Sequence, residues 1–179
     1  GLEYGPDARC SALAVADDVF VVNSFSKYFA MTGWRIGWLV APEDAREPLM
    51  KLAQNLFICP SVPAQHAALA AFSRESRLEI EANRLELERR KSFMLSALRQ
   101  LGFKISGDPD GAFYLYAELP EQFKDANAYC SSLLESSYVG LTPGDDFGGE
   151  QQKRFVRISY AQKYARLVDA IERIEKFNS

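Results

Sequence analysis

Residues 75–101 constrain the fold more than any other part of this chain. Polar and apolar residues recur there at helical spacing, and Gly102 follows, a residue suited to the position just past a helix end. The stretch predicts one long connecting helix. Leu78, Ala82 and Leu85 fall on one stripe, and Met94, Leu95, Leu98 and Leu101 on another. The charged run 86–91 reads as a solvated face.

The pattern differs on the two sides of this helix. Ahead of it, residues 1–12 are turn-rich and polar. Residues 19–22 are a β-branched apolar run that reads as a buried strand, and 34–40 reads as a second strand stopped by Ala41-Pro42. Between them, 23–32 has loop character. Residues 43–57 read as a helix with an acidic start, which tolerates Pro48 only in its first turn. Ser61 is a plausible N-cap for a helix running to residue 72. After the long helix, 103–105 and 112–116 read as strands around the turn 107–111, and 125–137 as a helix. Residues 139–141 read as a short strand, 142–150 as a loop, 155–160 as a strand and 163–177 as an amphipathic helix. The expected class is α/β, a mixed α/β unit over residues 1–75 followed by an α+β unit over 76–179.

Composition excludes several function classes. The chain has 179 residues, 47% hydrophobic and 25% charged, which is ordinary for a globular protein. Its net charge of −3 and lack of a long basic block argue against nucleic-acid partners. The apolar runs are too short for a membrane span, and the first residues lack the basic-then-apolar order of a signal peptide. Cys10, Cys59 and Cys130 are scattered and odd in number, so reduced thiols and a cytoplasmic location are expected. A lone histidine, His66, makes a histidine-rich metal site implausible and reads as a packing or surface residue.

The chemistry lies in Asn23-Ser24-Phe25-Ser26-Lys27-Tyr28-Phe29-Ala30-Met31-Thr32-Gly33-Trp34-Arg35-Ile36-Gly37. A lysine leaving a strand end can sit in a cleft, where desolvation and nearby cations make it nucleophilic. Ser24, Ser26 and Arg35 offer hydroxyls and a guanidinium fork, groups that suit a phosphate dianion. A nucleophilic amine beside a phosphate cradle is what pyridoxal 5′-phosphate (PLP) requires, since its aldehyde forms a Schiff base with lysine and its phosphate needs an anchor. A surface loop with an ordinary lysine is the plainer alternative.

The segment closely resembles the lysine signature of class I and II aminotransferases, the aspartate aminotransferase family of fold-type-I PLP enzymes. Ser24, Phe25, Ser26, Lys27, Ala30, Met31, Gly33, Arg35, Ile36 and Gly37 fill that pattern. Further resemblances follow in order: Cys59-Pro60-Ser61-Val62-Pro63-Ala64-Gln65, Asp110-Gly111-Ala112-Phe113-Tyr114-Leu115, the loop from Val139 to Gly148, and Phe155-Val156-Arg157-Ile158-Ser159-Tyr160-Ala161.

The resemblance implies the C-terminal part of a fold-type-I large domain followed by a small α+β domain. It implies that Lys27 bonds the cofactor and moves a proton, that Ser24 and Arg35 hold the phosphate, and that Ser26 assists or serves as a turn serine. Arg157 would grip the substrate α-carboxylate, the alternative being a salt-bridged arginine on an exposed strand. Its neighbours Phe155 and Ile158 suggest a buried setting. Gly144 and Phe147 would shape the loop. Tyr28 and Tyr114 read as packing residues, and Trp34 and Trp38 as core. Tyr4 is not expected to touch the cofactor ring. The implied substrates are an α-amino acid and a 2-oxo acid, and the implied full-length protein is a homodimer about twice this length. The chain alone is expected to be inactive. A lyase or synthase of the same fold, or an aminotransferase-like effector domain of a transcription regulator, are the alternatives.

Overall fold

The long helix forms as α3 (Arg74–Gln100). Its end is closed by hydrogen bonds from Gly102 N to Arg99 O and from Phe103 N to Leu98 O, with Gly102 at φ +84°. This is the glycine-dependent cap that satisfies the last carbonyls of a helix. The structure is a computed structural model that describes residues 1–5 and 10–179, without the side chains of 150 and 151. Of the turn-rich opening, residues 6–9 lie outside the described ones. The described chain divides into two compact units, Gly1–Arg84 and Leu85–Ser179, and the division falls inside α3.

The unit Leu85–Ser179 is built on a three-stranded antiparallel sheet of β3 (Tyr114–Glu118), β4 (Thr142–Pro143) and β5 (Phe155–Ser159), with β5 in the centre. Register pairs Tyr116 with Arg157 on one side and Thr142 with Arg157 on the other. Side chains alternate across a strand. Leu115, Ala117, Val156 and Ile158 therefore face one way and are buried, while Tyr114, Tyr116, Phe155 and Arg157 face the other. The buried face packs with Met94, Leu95 and Leu98 of α3, with Tyr129 and Leu133 of α4 (Ala126–Ser137), and with Leu167 and Ile174 of α6 (Tyr164–Asn178). Helix α4 is started by Asp125, whose Oδ1 accepts from Ala128 N at 2.8 Å.

Several expectations shift here. Residues 103–105 contribute only the bridge of Lys104 to Glu118, not a strand. Residues 139–141 are not a strand; pairing begins at Thr142, where a loop was expected, and the short helix α5 (Asp145–Gly148) follows. Lys91, read as part of a solvated face, is buried. Its ammonium donates to Asp108 Oδ1 and Pro109 O, both at 3.0 Å, and so ties the 107–111 turn to α3.

The unit Gly1–Arg84 holds a two-stranded antiparallel hairpin, β1 (Val21–Ser24) and β2 (Gly37–Val40), followed by α1 (Arg46–Leu56) and α2 (Val62–Ala70). Pro48 lies in the first turn of α1, as it must. Ser61 caps α2 by position only, without a side-chain hydrogen bond. The core is small: Phe25, Met31, Ala68 and Ala71, with Phe29 and Ile36 against them. The expectation of a buried strand over 19–22 is not met. The strand begins at Val21, and Val22 is 80% exposed. Trp34 and Trp38, expected in the core, are 47% and 36% exposed. The stripe Leu78, Ala82, Leu85 is exposed as well. Apolar periodicity marks a face fit for burial, but burial needs a covering layer, and the described residues do not cover these faces.

Candidate active site

The hairpin explains how the first group of residues comes together. Ser24 ends β1 and pairs with Gly37, the first residue of β2. A Cβ on Gly37 would lie 2.5 Å from Asn23 O, so this close approach needs glycine. The ladder extends one step further, with Phe25 N donating to Ile36 O at 3.1 Å. Ser24 and Arg35 thus flank the last rung, and residues 25–36 form a loop that carries Ser26 and Lys27.

That loop is fixed by its own hydrogen bonds. Ser24 Oγ accepts from Ser26 N at 3.0 Å, and Thr32 Oγ1 donates to Ser26 O at 2.6 Å. Met31 N donates to Phe25 O, and Ala30 N to Lys27 O. The Phe25 ring is the anchor beneath the loop, 4.7 Å from Phe29 and 5.0 Å from Trp38 between centroids. Arg35 has a left-handed backbone, φ +50°, which a side chain other than glycine adopts at a cost. Its Nη1 donates to Thr32 O at 3.0 Å. Ser24, Lys27 and Arg35 are exposed and Ser26 is half-buried. Two hydroxyls, an amine and a guanidinium on one short loop, with no acid within it, form a donor set that fits a phosphate dianion.

Arg157 lies in the other unit, at the centre of its sheet, on the face away from the core. It is half-buried. Phe155 shares its face, but Ile158 points to the opposite one, so the flanking pair does not make the buried setting expected of it. Among the described residues no carboxylate pairs with Arg157. Its Nη2 stands 3.5 Å from Thr142 Oγ1. Its Cζ lies over the Phe147 ring, 4.7 Å from the centroid, and 5.4 Å from that of Tyr114. A half-buried guanidinium paired with no acid among the described residues presents a fork of donors that suits a carboxylate.

Around it, Tyr116 Oη donates to Gln152 Oε1 at 2.9 Å. Burial, and secondarily the Asp145 carboxylate, push the Tyr116 phenol above its ordinary value. This aromatic surround was not foreseen. Tyr114 was read as packing and Phe147 as shaping the loop. The period-two alternation on β3 and β5, applied across the pair, is the signal that would have placed Tyr114, Tyr116 and Phe155 on the Arg157 face; no such signal marks Phe147, which lies in α5.

The remaining candidates have other settings. Tyr28 donates to Glu81 Oε1 on α3, within the same unit. Tyr4 is buried. His66 is exposed, as are Cys10 and Cys59, while Cys130 is buried. No group of metal-binding side chains occurs among the described residues, and no described helix is long and apolar enough to cross a membrane. An open groove of about 790 Å³ lies along Val22, Trp38, Leu39, Met50, Ala53 and Phe57, but it is apolar and includes none of the candidate residues.

Residues 1–174 match the family model described as aminotransferase class I and II. The chain is 40% identical over 176 residues to a valine–pyruvate aminotransferase of Mycobacterium tuberculosis, covering 97% of this chain and 45% of that protein. It is 36% identical to a (5-formylfuran-3-yl)methyl phosphate transaminase of Methanocaldococcus jannaschii, covering 99% of this chain and 47% of that one. A crystal structure of an aminotransferase from Mycobacterium tuberculosis superposes with a TM-score of 0.93 at 39% identity, covering 98% of this chain and 46% of that one. The chain spans about half the length of the curated relatives it matches.

Proposed function

Because this chain belongs to the aminotransferase class I and II family, we propose that it is the C-terminal portion of a PLP-dependent enzyme that moves an amino group between an α-amino acid and a 2-oxo acid. The observation that carries this reading is the gathering of Ser24, Ser26, Lys27 and Arg35 on one hairpin loop. Residues 1–75 are the end of the cofactor-binding large domain and 76–179 the small domain. The complete enzyme is a cytoplasmic homodimer in this reading.

Ser24 and Arg35, with help from Ser26, hold the cofactor phosphate through charge-assisted hydrogen bonds. When bound, the cofactor supplies an aldehyde that condenses with amines and a ring that draws electrons from the substrate Cα. Lys27 Nζ takes the proton from that Cα as general base and returns one as general acid. Arg157 orients the substrate through a bidentate pair with its α-carboxylate, which fixes the Cα–H bond for removal.

The test is a panel of amino acids and 2-oxo acids given to the complete enzyme with PLP. Expected products are the new amino acid and the new oxo acid in equal amounts. Release of ammonia or a thiol instead would replace this reading by a lyase on the same scaffold. Residues 1–179 alone, with added PLP, are expected to show no transamination.

A further inference from the structure

We propose that Phe147 and Tyr114 are positioning residues that aim the Arg157 guanidinium at the carboxylate of an α-amino or 2-oxo acid. This rests on the reading of Arg157 as the carboxylate grip. An arginine that must receive a carboxylate has to be oriented in advance, yet an acidic neighbour that oriented it would also occupy its donors. Here the base of the side chain is fixed, because β5 is paired on both sides at residue 157. Hydrogen bonding holds the tip only loosely, because its bond to Thr142 Oγ1 is long, at 3.5 Å. Two ring faces lie against it instead, Phe147 at 4.7 Å and Tyr114 at 5.4 Å. Ring faces attract the cation without using an N–H.

Each ring has an aromatic neighbour of its own. Tyr116 stacks on Phe155 with centroids 5.3 Å apart and planes 10° apart, and it meets the Phe147 ring edge-on at 6.3 Å. Phe113 meets Tyr114 edge-on at 5.4 Å. Phe147 is 51% exposed, so a carboxylate reaches the arginine past it and its truncation leaves the core intact.

The experiment uses the complete enzyme with PLP, its chains labelled for NMR on arginine, leucine and valine, with the Arg157 Nε–Hε signal assigned by its loss in Arg157→Lys and pyruvate as the titrated probe. In the unaltered chain that signal is shifted by the ring currents and moves on adding pyruvate. In Phe147→Ala it returns toward the ordinary arginine position, and pyruvate binds about fivefold more weakly, the loss of one such contact. Phe147→Tyr restores both, and Tyr114→Leu gives a smaller change in the same direction. The Leu115 and Val156 amide signals report that the core is unchanged. A Phe147→Ala chain with unaltered Arg157 shift and unaltered pyruvate affinity overturns the positioning role while leaving the grip standing. An Arg157 signal that ignores pyruvate in the unaltered chain overturns the grip and the positioning role with it.

Discussion

Replacing Gly144 by alanine is expected to damage the sheet that carries Arg157, although the backbone there suits any residue, with φ −79°. The obstacle is space. A Cβ at Gly144 would stand 2.6 Å from Tyr116 Oη, 2.7 Å from Phe155 O and 2.8 Å from Gln152 O. Two of these are backbone atoms, so no rotamer change relieves them. The same movement stretches the hydrogen bond from Gly144 N to Phe155 O, now 2.7 Å. Overpacking typically costs about 1–3 kcal/mol and a lost hydrogen bond about 1 kcal/mol, so the total is about 3 kcal/mol. Gly140 is the matched control. Its added Cβ would meet only Leu134 Cδ1 at 4.0 Å, and its φ is outside the left-handed region. There, Gly→Ala is expected to stabilise by about 0.5 kcal/mol through the unfolded chain. Native-state exchange of the Leu115 and Val156 amides reads both effects. Gly144→Ala should speed it by roughly 150-fold and Gly140→Ala should slow it slightly. Equal effects of the two substitutions would refute the steric account.

Other outcomes follow from named contacts. Asp125→Ala removes the acceptor for Ala128 N and should cost about 1 kcal/mol in thermal or urea unfolding. Burial raises both the Tyr129 and Tyr116 phenols in the folded chain. A raised folded value means that their contribution is whole below the ordinary tyrosine value of about 10 and is lost as pH climbs past it, so stability should fall on the alkaline side. Absorbance at about 295 nm should show two phenols ionising late in the folded chain, at the raised values that linkage requires. Burial lifts the Cys130 thiol to about 11. At pH 8 a thiol reagent should label Cys10 and Cys59 quickly and Cys130 only as the unit opens.

Legibility differed between the two units for a physical reason. In Leu85–Ser179 the helices and the strand pattern 155–160 were readable because the partners of each apolar face lie within the same unit: Leu98, Leu133, Val156 and Ile174 meet one another. What failed there was local. Thr142-Pro143 forms a strand of two residues defined only by its pairing to β5, which periodicity does not report. Lys91 was misread because its acceptors, Asp108 and Pro109, are brought to it by a turn distant in sequence. In Gly1–Arg84 the apolar runs were readable as apolar but not as exposed, as Val22, Trp34 and Trp38 show. In the loop 24–37 the strand expected from residue 34 begins only at Gly37, yet Gly37 and the hydroxyls of Ser24 and Thr32 were legible, because close backbone approach and local hydrogen bonds require them rather than distant packing. The rings around Arg157 were invisible to a reading made strand by strand.

The central claim is that Lys27 is the residue that bonds the cofactor. It is tested by adding PLP to the complete enzyme, reducing with borohydride and mapping the modified lysine by peptide mass spectrometry. The account predicts the pyridoxyl group on Lys27 alone among the eight lysines of this chain, and its loss in Lys27→Ala. A stoichiometric modification at any other lysine, with Lys27 unmodified, would contradict it.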